Sequence, residues 1–194
     1  DMVKLSVNCP TIHDAEDEWA ATVSLNEALL ELRKDGGGPV HINLTTYYST
    51  DFSITEIPDV RMIQRFTYGD LLPDIHGGKV GIVVGSHVLW SEELIQAAER
   101  FCDKYQAVIF VDHTSGYKGK YHAMANLVTA QTGYQADCSI LDLGIHIGGV
   151  SGAYQSLRMK KVWRVNPDGV LRDTYRHLTG VIEMREEDFF RAYA

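Results

Sequence analysis

Two hydrophobic patterns run along this chain, separated by a polar stretch without either. Residues 1–7 have the length and Val/Leu content of a short strand. Ser24 followed by Glu27 forms a capping-box pair, in which hydroxyl and carboxylate each satisfy an orphan backbone donor. Leu25, Ala28, Leu29 and Leu32 then line one apolar helical stripe, and Gly36-Gly37-Gly38 stop it. Strand Pro39–Leu44 follows. Residues 45–78 hold no sustained periodicity and contain Pro58, Pro73, Gly69, Gly77 and Gly78. They read as a linker with one short helix near Tyr68–Leu72; a loop this long marks a domain passage.

From Lys79 the pattern becomes strand and helix in alternation. Val80–Val84 is a continuous apolar strand ending at Gly85-Ser86. Ser91 caps a helix whose first turn carries Glu92 and Glu93, the right sign for the positive end of its dipole. Leu94, Ile95, Ala98, Phe101, Cys102 and Tyr105 form its apolar face. Ala107–Val111 is a second buried strand, and Tyr121, Met124, Ala125 and Val128 form a further helical face ended by Gly133. Leu143–Ile147, Val162–Val165 and Val181–Ile182 follow as strands, and a last helix spans Glu186–Tyr193 with Phe189, Phe190 and Tyr193 inward. Apolar strands separated by amphipathic helices predict an α/β fold: a Rossmann-like, doubly wound parallel sheet with helices on both faces. The expected organisation is an N-terminal appendage at 1–44, a linker at 45–78 and the sheet domain at 79–194.

Composition narrows the partners. The net charge of −8 argues against nucleic acid, whose binding rests on Lys and Arg at phosphates. No apolar run is long enough to cross a membrane, and no signal peptide opens the chain, so the cytoplasm is the expected compartment. Cys9, Cys102 and Cys138 are odd in number and far apart, which suggests neither a disulfide framework nor a metal site. A start at Asp1 rather than Met fits a piece of something longer.

Ligands of an open parallel sheet sit beyond the carboxyl ends of its strands. Those ends read Gly85-Ser86-His87, Asp112-His113-Thr114-Ser115-Gly116, Gly148-Gly149-Val150-Ser151-Gly152 and Asn166-Pro167-Asp168-Gly169. Chain reversal alone explains any one of them; four together raise the case for a nucleotide site. The expected lining is Gly85, Ser86, Asp112, His113, Gly148, Gly149 and Ser151. An adenine nucleotide would place a ribose hydroxyl at Asp112 and a phosphate at the Gly148-Gly149 amides. The G-x-G-x-x-G fingerprint is absent after the first strand, Gly148-Gly149-x-x-Gly152 is a partial echo, and no Walker loop exists. Ser151 lacks the final glycine of a nucleophile elbow, and no H-x-x-x-H or C-x-x-C occurs. His146 and His41 read as hydrogen-bonded core histidines, Tyr47-Tyr48 as packing within the linker, and Cys102 as a small core residue. Arg164, Asp168 and Arg172 read first as a turn with local ion pairs, and second as anion recognition or docking to a neighbouring domain.

Several segments resemble the thiamine diphosphate-dependent decarboxylase and synthase family, in its acetolactate synthase-like and menaquinone-pathway SEPHCHC synthase-like branches. They are Asn26-Glu27-Ala28 leading into Gly38-Pro39-Val40-His41-Ile42-Asn43, then Lys79-Val80-Gly81-Ile82-Val83-Val84-Gly85-Ser86, and Asp142-Leu143-Gly144-Ile145-His146-Ile147-Gly148-Gly149. The resemblance implies the tail of a pyrimidine-binding domain followed by a whole central domain. It also implies a parent transferase or lyase that decarboxylates and ligates 2-oxo acids with thiamine diphosphate and Mg²⁺. The family's Gly-Asp-Gly…Asn motif has no counterpart: Tyr68-Gly69-Asp70 and Pro167-Asp168-Gly169 fit neither its composition nor its position. No catalytic or metal-binding residue is therefore assigned, and the piece alone is expected to be inert. FAD or ADP in the central domain stays open. The partners implied are the parent's pyrimidine and diphosphate domains, in a homo-oligomer. The alternative is a free-standing module of the same fold that binds FAD, ADP or NAD.

Overall fold

The computed structural model describes residues 2–57, 59–124, 140–151 and 157–194. The chain divides into two compact units, Asp1–Gln64 and Arg65–Ala194.

In the first unit, strand β1 (Leu5–Cys9), helix α1 (Ala15–Glu31) and strand β2 (Val40–Leu44) form a βαβ turn of chain. The strands pair in parallel from Leu5↔Val40 to Cys9↔Leu44. Helix α1 starts ten residues before the predicted Ser24 cap. The Asp14 carboxylate accepts from the Glu16 and Asp17 amides at 2.9 and 3.0 Å, and Glu16, Asp17 and Glu18 fill the acid-favouring first turn. Ser24 and Glu27 lie inside the helix, where a capping box has no orphan donors to satisfy.

The buried positions of α1 are Ala21, Asn26 and Ala28, whereas Leu29 and Leu32 of the expected stripe are exposed. The side chain of Asn26 is committed three ways. Its amide donates to the Thr22 and Arg61 carbonyls at 2.8 and 3.1 Å, and its oxygen accepts from the Ile63 amide at 2.7 Å. A polar residue thus pins the end of the linker along the helix. Tyr47 and Tyr48 do not pack in the linker: they are 74% and 94% exposed. His41 is exposed too and bonds across the strand pair to the Ser6 hydroxyl at 3.0 Å, so it is no core histidine.

The second unit is built on a seven-stranded sheet of β3 (Gln64–Thr67), β4 (Val80–Val84), β5 (Val108–Phe110), β6 (His122–Ala123), β7 (Ile140–Ile147), β8 (Arg158–Val165) and β9 (Leu178–Glu183). Their order is β3-β9-β8-β7-β4-β5-β6, and every neighbouring pair from β6 across to β9 runs parallel. The six strands β4 to β9 follow the 3-2-1-4-5-6 order of a dinucleotide-binding fold, with the reversal of direction between β4 and β7. The α/β reading therefore holds.

Helix α2 (Glu92–Tyr105) begins at the Ser91 cap, whose hydroxyl accepts from the Leu94 amide, and ends at Gln106 in the left-handed region. It packs with helix α3 (Glu186–Tyr193) on one face of the sheet. There Phe101, Phe189 and Phe190, all fully buried, meet Ile82, Ile109, Ile145 and Val165. The opposite face carries His146 and Arg164, which are strand neighbours and both buried.

Two local readings change. Tyr68–Leu72 is no helix; β3 ends in a turn where the Asp70 carboxylate accepts from the Thr67 amide and hydroxyl at 2.7 and 3.0 Å. Residues 122–123 are the short strand β6, which draws Tyr121 and Met124 out of the expected helical face. Ala125, Val128, Gly133 and Cys138 lie outside the described residues.

Candidate functional site

The carboxyl ends of β4, β5 and β7 are held together by main chain. The Gly85 amide donates to the Ile147 carbonyl at 3.0 Å, and the Gly149 amide donates to the Ser86 carbonyl at 2.7 Å. A Cβ on Gly85 would lie 1.8 Å from the Gly149 carbonyl oxygen, so the close approach of the two loops requires glycine there. This junction sits at the switch point between β4 and β7, where a doubly wound sheet opens its crevice.

Asp112 organises the end of β5. Its Oδ1 accepts from the Thr114 amide and hydroxyl, both at 2.6 Å, and from the Ser115 hydroxyl at 3.2 Å. Its Oδ2 accepts a hydrogen bond from the Ser151 hydroxyl, which ties the β5 loop to the loop after β7. Burial pushes the Asp112 carboxyl up, but these donors outweigh it and hold the group below the ordinary carboxylate value. Asp112 is therefore an anion at neutral pH.

Fully buried Ser115 joins this loop to β4: its single hydroxyl proton is shared between the Val84 carbonyl at 2.9 Å and Asp112 Oδ1, and its oxygen accepts from the Asp112 amide at 2.9 Å. The Ser115 carbonyl accepts from the Trp90 indole at 3.0 Å. Trp90, Thr114 and Ser115 were not expected as site residues. The Asp-x-Thr-Ser run carries the signal of an Asx turn, whereas nothing around Trp90 marks its role.

Beneath the loop after β7 lies the Arg164 guanidinium, 1% exposed. It donates to the Gly148 and Val170 carbonyls, both at 3.1 Å, and to the Asp168 carboxylate at 3.1 Å. Every one of these contacts is internal, which favours the turn with local ion pairs over anion capture by Arg164. Its strand neighbour His146 is 1% exposed, with Nδ1 unpartnered and the ring edge-on to Tyr175 at 5.2 Å. Burial first, then the charges of Arg164 and Arg172, push its pKa down to about 4, so the ring is neutral.

His87 bonds the Val88 carbonyl through Nδ1, and its Nε2 lies 3.5 Å from Glu186 at the start of α3. That carboxylate raises the His87 pKa against the opposing effect of burial.

Of the expected lining, Gly85, the Ser86 main chain, Asp112, Gly148, Gly149 and Ser151 converge. The Ser86 and His113 side chains point to solvent. The Gly149 amide is committed to Ser86. Cys102 is buried, and desolvation pushes its thiol up to about 12, as an inert core residue requires. Among the described residues, no three His, Cys, Asp or Glu side chains are grouped to hold a metal ion, and no helix is long and apolar enough to cross a membrane.

No family model matches the chain. Two 2-succinyl-5-enolpyruvyl-6-hydroxy-3-cyclohexene-1-carboxylate synthases align along its whole length. The one from Bacteroides thetaiotaomicron is 28% identical over 221 positions, and the one from Bacteroides fragilis is 30% identical over 214. The chain is a relative of the thiamine diphosphate-dependent synthases. It spans 38% of the length of each of these synthases. A third such synthase, from Phocaeicola vulgatus, is 28% identical over 218 positions with the same coverage.

Proposed function

We propose that this chain is the central domain, with an adjoining part of the preceding domain, of a thiamine diphosphate-dependent synthase that decarboxylates and ligates 2-oxo acids. The observation that carries this is alignment of the whole chain to 38% of each of these synthases. The sheet order supports it further. Thiamine diphosphate, when bound in such an enzyme, supplies the electron sink for the decarboxylated carbon. In this reading the segments that hold it and its Mg²⁺ belong to other domains of the parent.

The residues of this chain would act at the switch point, where an adenine nucleotide would dock. Asp112 Oδ1 already takes three donors and Oδ2 one. Oδ2 thus keeps room for one hydroxyl donor, as a ribose offers. Its negative charge and the committed Gly149 amide weigh against a phosphate at the same point, so the sugar would sit over Asp112 and the phosphates farther along the edge.

Calorimetry of the chain with ADP, FAD and NAD tests the nucleotide reading. Binding by one of them, weakened about tenfold in Asp112→Asn, is expected for a charge-assisted hydrogen bond. No heat at millimolar concentration with any of the three would remove it. Micromolar, Mg²⁺-dependent binding of thiamine diphosphate to this chain would overturn the placing of that cofactor elsewhere. The synthase reading itself is tested by the mass of the native polypeptide in cell extract. A mass well above 21.7 kDa supports it. A native product of 21.7 kDa leaves the free-standing nucleotide-binding module instead.

A further inference from the structure

At the opposite, amino edge of the sheet, the segment Pro73–Gly78 forms a ridge between two cavities of about 540 and 490 Å³. They differ in how their charges are used. In the larger, the Lys104 ammonium donates to the Tyr193 carbonyl at 2.8 Å and lies 5.4 Å over the Tyr105 ring, and Asp70 is held by Thr67. In the smaller, Asp142 is matched to Lys160 at 2.7 Å and to the Lys79 amide at 2.8 Å. That leaves Asp74 on the ridge and Lys161 on β8, both exposed and each without a hydrogen bond or ion pair to protein among the described residues.

One cavity therefore presents an unmatched anion and an unmatched cation that do not reach each other. Its walls are apolar: Leu143 is the register partner of Lys161, Trp163 follows on the same face of β8, and Ile75 closes the ridge. The rim requires glycine at position 78, because a Cβ there would lie 2.6 Å from Asp142 Oδ2, and φ at Gly78 is +90°. The volume is that of a small-ligand site.

We propose that this cavity binds a zwitterionic amino acid with an apolar side chain. Lys161 takes the carboxylate, Asp74 the ammonium, and Ile75, Leu143 and Trp163 the side chain. A simple anion would meet Asp74 unmatched, and a simple cation would meet Lys161 unmatched. A ligand bearing both charges engages both groups at once, which neither a simple anion nor a simple cation can do.

The test titrates the chain with L-phenylalanine, followed by amide NMR shifts and by Trp163 emission. 3-Phenylpropionate and phenethylamine serve as single-charge controls. Saturable shifts at Gly77, Gly78, Leu143 and Lys161 are expected with phenylalanine, and each control should bind about tenfold more weakly. Lys161→Met and Asp74→Asn are surface changes that leave the fold intact, and each should weaken binding by about the same factor. Lys104→Met, in the neighbouring cavity, should leave it unchanged. Equal binding of either control, or loss in Lys104→Met instead, would overturn the proposal. So would an absence of shifts at roughly 20 mM phenylalanine, since two charge-assisted contacts should give at least millimolar affinity.

Discussion

His146 makes the stability of the sheet domain acid-sensitive in a calculable way. Its ring is 1% exposed, and burial drives its pKa from the ordinary 6.5 down to about 4. The unfolded chain therefore takes up this proton first. The contribution is intact above pH 6.5 and is lost as the pH falls from there to 4. Linkage over that interval gives a loss of about 2 kcal/mol at pH 5, approaching about 3 kcal/mol below pH 4.

His87 works the other way, since Glu186 raises its pKa and protonation strengthens that pair at low pH. The wild-type profile alone thus mixes the two histidines, and the difference from His146→Gln isolates one. Glutamine keeps an N–H donor and does not titrate. Urea unfolding followed through hydrogen exchange of the β7 amides, at pH 7.5 and 5.0, should show the wild type losing about 2 kcal/mol more than the variant. An NMR titration of the His146 ring gives its pKa without any substitution. Parallel pH profiles for the two proteins, or a ring that titrates near 6.5, would refute the reasoning.

Three further outcomes are expected. Gly85→Ala drives a methyl into the Gly149 carbonyl and should lower stability by about 1–3 kcal/mol, read as a drop in Tm, with a smaller loss for Gly149→Ala, whose added carbon stays 3.4 Å from the Ser86 carbonyl oxygen. Arg164→Met strands the Gly148 and Val170 carbonyls and unpairs Asp168, at a cost of about 2–4 kcal/mol in urea unfolding, and the Gly148 amide should lose hydrogen-exchange protection first. Asn26→Ala removes the two hydrogen bonds that hold residues 61–63 to α1, so limited proteolysis should cut that segment faster while cleavage within β4–β9 stays unchanged.

How much of the fold was legible depended on how each element is stabilised. β4, β7 and α2 read cleanly because continuous apolar strands and a Ser-Glu-Glu cap are local signals. Helix α1 was placed too late because its buried positions are Ala21, Asn26 and Ala28, small or polar residues that make no apolar stripe. Of the leucines that do make one, Leu29 and Leu32 are exposed. β3 was missed because a four-residue edge strand of Gln-Arg-Phe-Thr owes its pairing to β9 and its anchoring to Arg65. That guanidinium reaches Glu183 and the Gly169 carbonyl, each at 2.7 Å and both far away in sequence.

The site shows the same division between what is local and what is not. Strand-end glycines are visible in a sequence, and Gly85, Gly148 and Gly149 do converge with Asp112 and Ser151. What could not be read is how their polar groups are already employed. Two amides close the switch point, and the Asp112 carboxylate collects four donors from its own loops. An edge so well satisfied gains little from a phosphate, which would face a carboxylate lowered in pKa by those same donors. At the amino edge the sequence shows Gly77-Gly78-Lys79 and Lys160-Lys161, features of an ordinary solvated turn and strand start. The structure leaves the exposed Asp74 and Lys161 without a protein partner there among the described residues, beside an apolar floor. Ligand binding is favoured where it supplies partners that the fold has not, and by that criterion the amino edge has more to gain from a charged small molecule than the carboxyl edge.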